Sequence, residues 1–160
     1  MAEYTLIGVP LVTGYLTSCL CPTLSTSGSS VAFRPPRVVF GIVWPILYTL
    51  IGIAWCFAHK SSQGTHRILV HVFMSLLILS MVAWMITYSC AKNKRGAVYV
   101  LLMSTALSLA VYTVCPSLMT KLMVIPLMCW LGFALMMNAT EVQEKIQREK
   151  ALGENDISKE

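Results

Sequence analysis

Acidic side chains are nearly absent from most of this sequence. It contains seven Asp and Glu residues, and none of them lies between Glu3 and Glu141. A soluble domain needs charge over its exposed surface, whereas 56% of these residues are hydrophobic and only 12% are charged. The composition therefore excludes a water-soluble domain and predicts an integral membrane protein.

Other signatures are missing as well. The N-terminal apolar stretch has neither a preceding basic segment nor an A-x-A-like cleavage site, so it is expected to be a span rather than a secretory signal. The six cysteines form no CxxC pair and no zinc-ligand spacing, and we expect them to be small packing residues, without a structural disulfide. No acid, base or metal constellation is found, so the sequence predicts a non-enzyme with no catalytic residue and no metal site.

Five apolar stretches are long enough to cross a bilayer, whose hydrocarbon core of about 30 Å requires about 20 helical residues. They cover residues 4–21, 38–58, 68–91, 97–114 and 118–138. The predicted fold class is all-α, a membrane bundle of five transmembrane helices in residues 1–139. A charged tail follows in residues 140–160.

Lys and Arg are unequally divided between the two sides of this predicted bundle. Nine lie in the first loop, the third loop and the tail, and three lie on the other side. Because basic residues concentrate in cytosolic loops, we expect a cytosolic C-terminus and a non-cytosolic N-terminus. The basic residues lie at the ends of apolar runs, so the net charge of +5 does not indicate nucleic-acid binding.

Two spans carry polar or aromatic residues that suit either packing or ligand binding. In the second span Trp44, Tyr48 and Trp55 share one helical stripe, which is typical of an interfacial belt or of a binding surface. Asn138 ends the fifth span and either bonds to a neighbouring group or marks the mouth of a tunnel. His71, in the third span, either bonds to a neighbouring helix or ligates a haem iron.

Two motifs carry a resemblance to a known family. The first is Arg34-Pro35-Pro36-x-x-x-Phe40-Gly41-x-Val43-Trp44-x-x-Leu47-Tyr48-x-x-x-Gly52-x-Ala54, and the second is Pro126-x-x-x-Trp130-x-x-Phe133-Ala134-x-x-x-Asn138. With the five-span layout, they resemble the TspO/MBR family, the translocator proteins once called peripheral benzodiazepine receptors.

The resemblance implies a five-helix bundle, often dimeric, with a pocket between helices under the first loop. Members accept porphyrins, sterols and synthetic isoquinoline or benzodiazepine drugs, and in animals they reside in the outer mitochondrial membrane. We expect this chain in that membrane or in another intracellular membrane. We therefore expect a membrane receptor or carrier, with membrane lipid or sterol and a second copy of the chain as partners. A porphyrin or haem would be a ligand, not a cofactor.

The residues expected to bind the ligand come from the first loop and from the second and fifth spans. They are Phe33, Pro35, Pro36, Phe40, Trp44, Tyr48, Trp130, Ala134 and Asn138. The first three are expected to form part of a lid.

The sequence also departs from the family pattern. Val38 and Ile42 replace a Trp and a Pro that the family often has, and Trp84 is the single tryptophan kept in the third span. These departures favour an alternative function, an interaction protein without a pocket that acts through its basic loops and tail on a partner or on anionic lipid. A loose sterol pattern also occurs, formed by Val82, Tyr88 and Lys92.

Overall fold

The computed structural model describes residues 2–22 and 31–157, with side chains described for 5–22 and 31–152. Its five α-helices are α1 (Ala2–Leu20), α2 (Arg37–Ser61), α3 (Gly64–Met85), α4 (Lys94–Val114) and α5 (Leu118–Ile157). A π-helical turn, Ile86–Cys90, continues α3. These described ranges contain no β-strand, and the prediction of an all-α, five-helix membrane protein is confirmed.

Length and hydropathy distinguish the first helix from the other four. α2, α3 with its π turn, α4 and α5 are long and apolar enough to cross a membrane, whereas α1 is apolar but shorter over its described side chains, Thr5–Leu20. Prolines lie inside α1, α2 and α5. Each proline leaves the carbonyl four residues earlier without its helical N–H partner, and membrane helices tolerate this because local adjustments and neighbouring groups satisfy the carbonyl. One turn after Pro45, Thr49 Oγ1 donates to the Pro45 carbonyl at 2.8 Å.

The second loop is shorter than the polar segment 59–67 predicts. α2 ends at Ser61 and α3 begins at Gly64, so most of that segment is helical. The reversal uses Gly64 at φ +52°, a conformation that glycine adopts at no steric cost. The Ser62 carbonyl accepts a hydrogen bond from Arg67 Nε at 2.8 Å. The polar segment remains helical because a helix keeps the backbone N–H and carbonyl groups hydrogen-bonded beyond the apolar part of each span.

The five helices form a closed ring around a common interior. Going around the ring, the order is α1, α2, α5, α4 and α3, with α3 packed back on α1, and α2 also touches α3 across the interior. The first loop, the third loop and the tail lie together at one end of the bundle. We call this the basic end, because it carries Arg34, Arg37, Lys92, Lys94 and Arg95.

Apolar side chains both fill the ring and cover its outside. Ile51, Leu77, Leu101 and Leu131, from four different helices, are fully buried. Many others are exposed on the outer surface, where lipid rather than water is their natural solvent. Buried Ser104 and its neighbours on α4 donate their hydroxyls to carbonyls of their own helix, and such small residues let membrane helices approach closely.

A disulfide joins Cys21, just after α1, to Cys90, the last residue of the π turn, with the two Cα atoms 5.2 Å apart. The expectation of no structural disulfide is therefore wrong. Both cysteines end up at the basic end because α1 and α3 pack side by side. Single cysteines in different spans are brought together only by tertiary packing, which their spacing along the sequence does not show.

Gly52 allows a close contact between α1 and α2. A Cβ at this position would overlap the backbone carbonyl of Ile7, whereas a Cβ at Gly132 on α5 would meet no atom within 4 Å. We expect Gly52→Ala to lower the free energy of unfolding by about 1–3 kcal/mol, the usual range for overpacking. Gly132→Ala is the control, and its better helix propensity leaves stability unchanged or raised by up to about 1 kcal/mol. Thermal unfolding in detergent micelles measures both, and equal midpoints would contradict the close contact.

The disulfide is expected to stabilise the basic end. It spans 69 residues, and closing such a loop contributes roughly 4 kcal/mol at most, less here because helices stay inserted in the membrane when the bundle comes apart. A thiol reductant should lower the unfolding midpoint of the wild type. It should not change the midpoint of the double variant Cys21→Ser/Cys90→Ser, which has no such bond to reduce. Cys19→Ser, which removes an exposed free thiol, should respond to reductant as the wild type does. A wild-type midpoint insensitive to reductant would argue against the bond.

Candidate functional site

A cavity of about 470 Å³ opens toward the basic end of the bundle, between α1, α2, the end of α3 and α5. Its walls are mostly apolar, with polar groups concentrated near the mouth. The lining residues are Leu11, Gly14, Tyr15, Ser18, Arg34, Arg37, Phe40, Gly41, Trp44, Pro45, Tyr48, Trp84, Met85, Tyr88, Ala134, Met137 and Asn138. The volume lies within the range of small-molecule sites in proteins, roughly 300–1,000 Å³.

Four aromatic rings form a continuous stack along one wall of this cavity. The Trp44 ring stacks on Tyr48 at 5.5 Å between centroids and on Trp84 at 5.6 Å, each pair with its planes 29° apart. Trp84 stacks in turn on Tyr88 at 5.6 Å. Offset stacking stabilises aromatic pairs beyond the area that they bury. The stack, which we call the aromatic ladder, joins α2 to α3 and presents a large, stiff apolar surface.

A second aromatic layer supports the ladder from α5. Trp130 packs edge-on against Trp44 at 6.3 Å and against Phe40 at 5.6 Å. Phe133 lies beside Trp130 at 5.6 Å and contacts Phe33 of the first loop at 6.2 Å. Trp130 thus fixes the position of Trp44 from behind, without lining the cavity itself.

The structure brings five of the predicted ligand-binding residues to the cavity and leaves four outside its lining. Phe40, Trp44, Tyr48, Ala134 and Asn138 line it. The remaining four, Phe33, Pro35, Pro36 and Trp130, do not. Most of the first loop, residues 23–30, lies outside the described residues. The predicted lid residues, Phe33, Pro35 and Pro36, are described and lie outside the lining.

Sequence reasoning missed the contribution of α1 and of the end of α3. α1 supplies Leu11, Gly14, Tyr15 and Ser18 to the lining, and a Cβ at Gly14 would overlap the Tyr48 ring. No local pattern identifies Gly14, because its importance comes only from the ring that packs on it. Trp84 and Tyr88 could have been found, since their spacing of four residues repeats that of Trp44 and Tyr48.

A polar cluster borders the mouth of the cavity at the basic end, centred on the Tyr88 hydroxyl. Arg34 Nη1 donates to this oxygen at 3.3 Å, and the hydroxyl donates to Glu141 Oε2 at 2.8 Å. Lys94 Nζ lies 3.7 Å from Glu141 Oε1 and 3.2 Å from the centroid of the Tyr88 ring. Arg34 also lies over the Phe40 ring at 5.2 Å. The cluster joins the first loop, the π turn, α4 and α5.

Both described ends of the first loop are fixed to the π turn. Cys21 is bonded covalently to Cys90, and Arg34 is hydrogen-bonded to Tyr88, two residues earlier on the same turn. π-helical turns are rare and often occur at functional sites. Here the extra residue of the turn brings both attachment points to the mouth of the cavity.

Two buried polar groups of lining residues have no hydrogen-bond partner among the described residues, Trp84 Nε1 and Asn138 Oδ1. Asn138 Nδ2 donates to the carbonyl of Ala134 on its own helix at 2.9 Å. Because unpaired buried polar groups cost free energy, these two atoms are a candidate donor and a candidate acceptor for a ligand in the cavity.

His71 lies away from the cavity, toward the opposite end. Trp55 Nε1 donates to His71 Nδ1 at 3.0 Å, and His71 Nε2 lies 2.8 Å from His59 Nδ1. Both ring nitrogens of His71 therefore contact side chains of α2. This is the arrangement expected of a histidine that bonds to a neighbouring helix, and it leaves neither nitrogen directed at a haem iron. Within the described ranges, no three His, Cys, Asp or Glu side chains are grouped as a metal site would require.

Tyr88→Phe is expected to loosen the first loop. The substitution keeps the ring but removes the hydroxyl that bonds Arg34 and Glu141, and each hydrogen bond to a charged group contributes about 1.5–3 kcal/mol. Hydrogen–deuterium exchange should become faster at the Arg34 amide, which donates to the Val31 carbonyl. Tyr99→Phe, on the outer face and 74% exposed, is the control. Equal exchange in the two variants would contradict a structural role for the cluster.

The comparison with protein families accords with this architecture. The model of the TspO/MBR family matches residues 5–142, which include α1 through the first half of α5 and therefore every element that lines the cavity. No individual curated protein matches the chain significantly, so the assignment is made at the level of the family. The chain belongs to the TspO/MBR family.

Proposed function

We propose that this protein is a membrane receptor or carrier that takes a flat, mostly apolar ligand into the cavity beside the aromatic ladder. The observation that supports this most directly is the ladder itself, four stacked rings forming one wall of a cavity of about 470 Å³. Burying roughly 300 Å² of apolar ligand surface there contributes about 7 kcal/mol, part of which offsets the loss of ligand freedom.

Among the ligand classes that the family accepts, the charges at the mouth favour a tetrapyrrole. Arg34 and Arg37 both line the cavity at the basic end, and a guanidinium binds a carboxylate through two parallel hydrogen bonds. A tetrapyrrole that carries carboxylate side chains would place its ring against Trp44 and Trp84 and its acidic groups at the two arginines. A sterol would use the apolar walls but would leave both arginines without an anionic partner.

The proposal is one of binding and does not include a reaction. Among the described residues, the side chains that line the cavity include no carboxylate, histidine or cysteine, the groups that general acid–base or nucleophilic catalysis most often uses. The basic end would face the cytosol, with the protein in the outer mitochondrial membrane or another intracellular membrane. The sterol pattern is not part of the proposal, because its Tyr88 is only 3% exposed and faces the interior, not lipid.

Filling the cavity tests the proposal without removing any of the four tryptophans. Ala134 lines the cavity and is buried, so Ala134→Leu adds bulk where the ligand would lie. In nanodiscs, tryptophan fluorescence of the wild type should be quenched saturably by protoporphyrin IX. Ala134→Leu should weaken the affinity at least about tenfold, or about 1.4 kcal/mol. Ala106→Leu, on the exposed face of α4, should bind as the wild type does.

Two further arms separate the outcomes of this titration. The double variant Arg34→Gln/Arg37→Gln should bind protoporphyrin IX more weakly than the wild type does. Its affinity for the dimethyl ester, which lacks free carboxylates, should fall less. Linear quenching that never saturates and is equal in Ala134→Leu and the wild type would contradict binding in the cavity. The interaction protein without a working pocket would then be the better account.

A further inference from the structure

A second, separate cavity of about 250 Å³ lies at the basic end, between the third loop and the charged C-terminal part of α5. It shares no lining residue with the first cavity. Its lining consists of Lys92, Asn93, Lys94, Arg95, Val142, Lys145, Ile146 and Glu149. Liquid water occupies roughly 30 Å³ per molecule, so the space holds a phosphate group together with several waters.

Positive charge dominates this cavity. Four of the eight lining residues are cations, and Glu149 is the one lining acid. Lys145 Nζ and Glu149 Oε1 are 3.9 Å apart, and their side chains are 71% and 59% exposed. Ion pairs this exposed are weak and exchange readily with other partners. Lys145 is therefore available to an incoming anion at little cost.

Hydrogen bonds hold the backbone of the third loop in a defined conformation. Lys92 adopts φ 53°, a left-handed conformation that is uncommon for a lysine. Two backbone hydrogen bonds return to the π turn on either side of it, from Ala91 N–H to the Ile86 carbonyl and from Asn93 N–H to the Thr87 carbonyl, at 2.9 and 3.0 Å. A loop fixed in this way loses little freedom when an anion binds.

The position of Tyr99 indicates that this cavity lies at the depth of lipid headgroups. α4 begins at Lys94, and its first strongly exposed aromatic residue, Tyr99, follows five residues later, or about 7 Å along the helix axis. Tyrosine is enriched at the boundary between the hydrocarbon core and the headgroups. Val142 and Ile146 add an apolar side to the cavity, which suits a phosphate attached to a glycerol backbone better than a free ion.

We propose that this second cavity binds the phosphate of an anionic phospholipid in the leaflet that surrounds the basic end. Lys92, Arg95 and Lys145 would contact the phosphate oxygens, and Val142 and Ile146 would contact the glycerol portion. Lys94, held by Tyr88 and Glu141, would add positive potential. Because Lys94 lines this cavity and also belongs to the polar cluster around Tyr88, the bound lipid would lie next to the mouth of the first cavity.

Native mass spectrometry of the full-length protein in detergent tests this site. Dioleoyl phosphatidic acid and dioleoyl phosphatidylcholine have the same acyl chains and differ only in the choline group. We expect one phosphatidic acid molecule to be retained saturably, with at least tenfold preference over phosphatidylcholine. The double variant Arg95→Gln/Lys145→Gln should bind phosphatidic acid at least tenfold more weakly than the wild type does. The unfolding midpoint of this variant should stay close to that of the wild type.

Arg148→Gln/Lys150→Gln is the matched control, since it also removes two positive charges but from residues of α5 that do not line the cavity. It should bind phosphatidic acid within about threefold of the wild type. An equal loss in both double variants would overturn the proposal in favour of general attraction to a basic surface. Displacement of the lipid by low millimolar inorganic phosphate would overturn it in favour of a free-anion site. Failure of porphyrin binding would not affect this test, which involves only the second cavity.

Discussion

The basic end of the bundle depends on the hydrogen bonds of a single buried phenol. A hydroxyl at the boundary of a low-dielectric interior must be paired, and its pairing with charged groups is stronger than with neutral ones. The Tyr88 hydroxyl accepts from Arg34 and donates to Glu141, and Lys94 lies against both the carboxylate and the ring. Two positive charges and one negative charge are thereby brought together around Tyr88, and the first loop, α4 and α5 are held in register with α3.

The aromatic ladder begins at the same residue, so the cavity and the polar cluster are mechanically one structure. Tyr88 stacks on Trp84, and Trp84 stacks on Trp44. A shift of Tyr88 toward the mouth would therefore disturb the wall on which a flat ligand would lie. Trp130 opposes the reverse movement by packing on Trp44 from α5, and Phe40 of α2 packs on Trp130 in turn. The interior remains open because the rings support one another while Gly14 gives the Tyr48 ring room.

Hydropathy alone located the helices, and the two motifs located one side of the cavity. The spans were predictable because a bilayer imposes length and polarity on each helix separately. Trp44, Tyr48 and Ala134 were predictable because they occur in the motifs. The contribution of Gly14, the disulfide and the π turn were not, since each depends on which helices become neighbours. Trp130 was expected to touch the ligand, whereas a periodic pattern cannot distinguish a lining residue from one that supports it.

The two attachments of the first loop differ in chemistry, and this difference gives the cavity mouth an asymmetry. The Arg34 side is held by hydrogen bonds that persist in any redox environment, whereas the Cys21 side is held by a disulfide. The charge distribution predicts that the basic end faces the cytosol, where thiol exchange keeps most cysteines reduced. Cys21 is buried but Cys90 is exposed, so a thiolate has access to the bond from one side only. Reduction would break the covalent link between the end of α1 and the π turn, close to Tyr15 and Ser18 of the lining. The stacked rings of the aromatic ladder, which belong to α2, α3 and the π turn, would stay in contact.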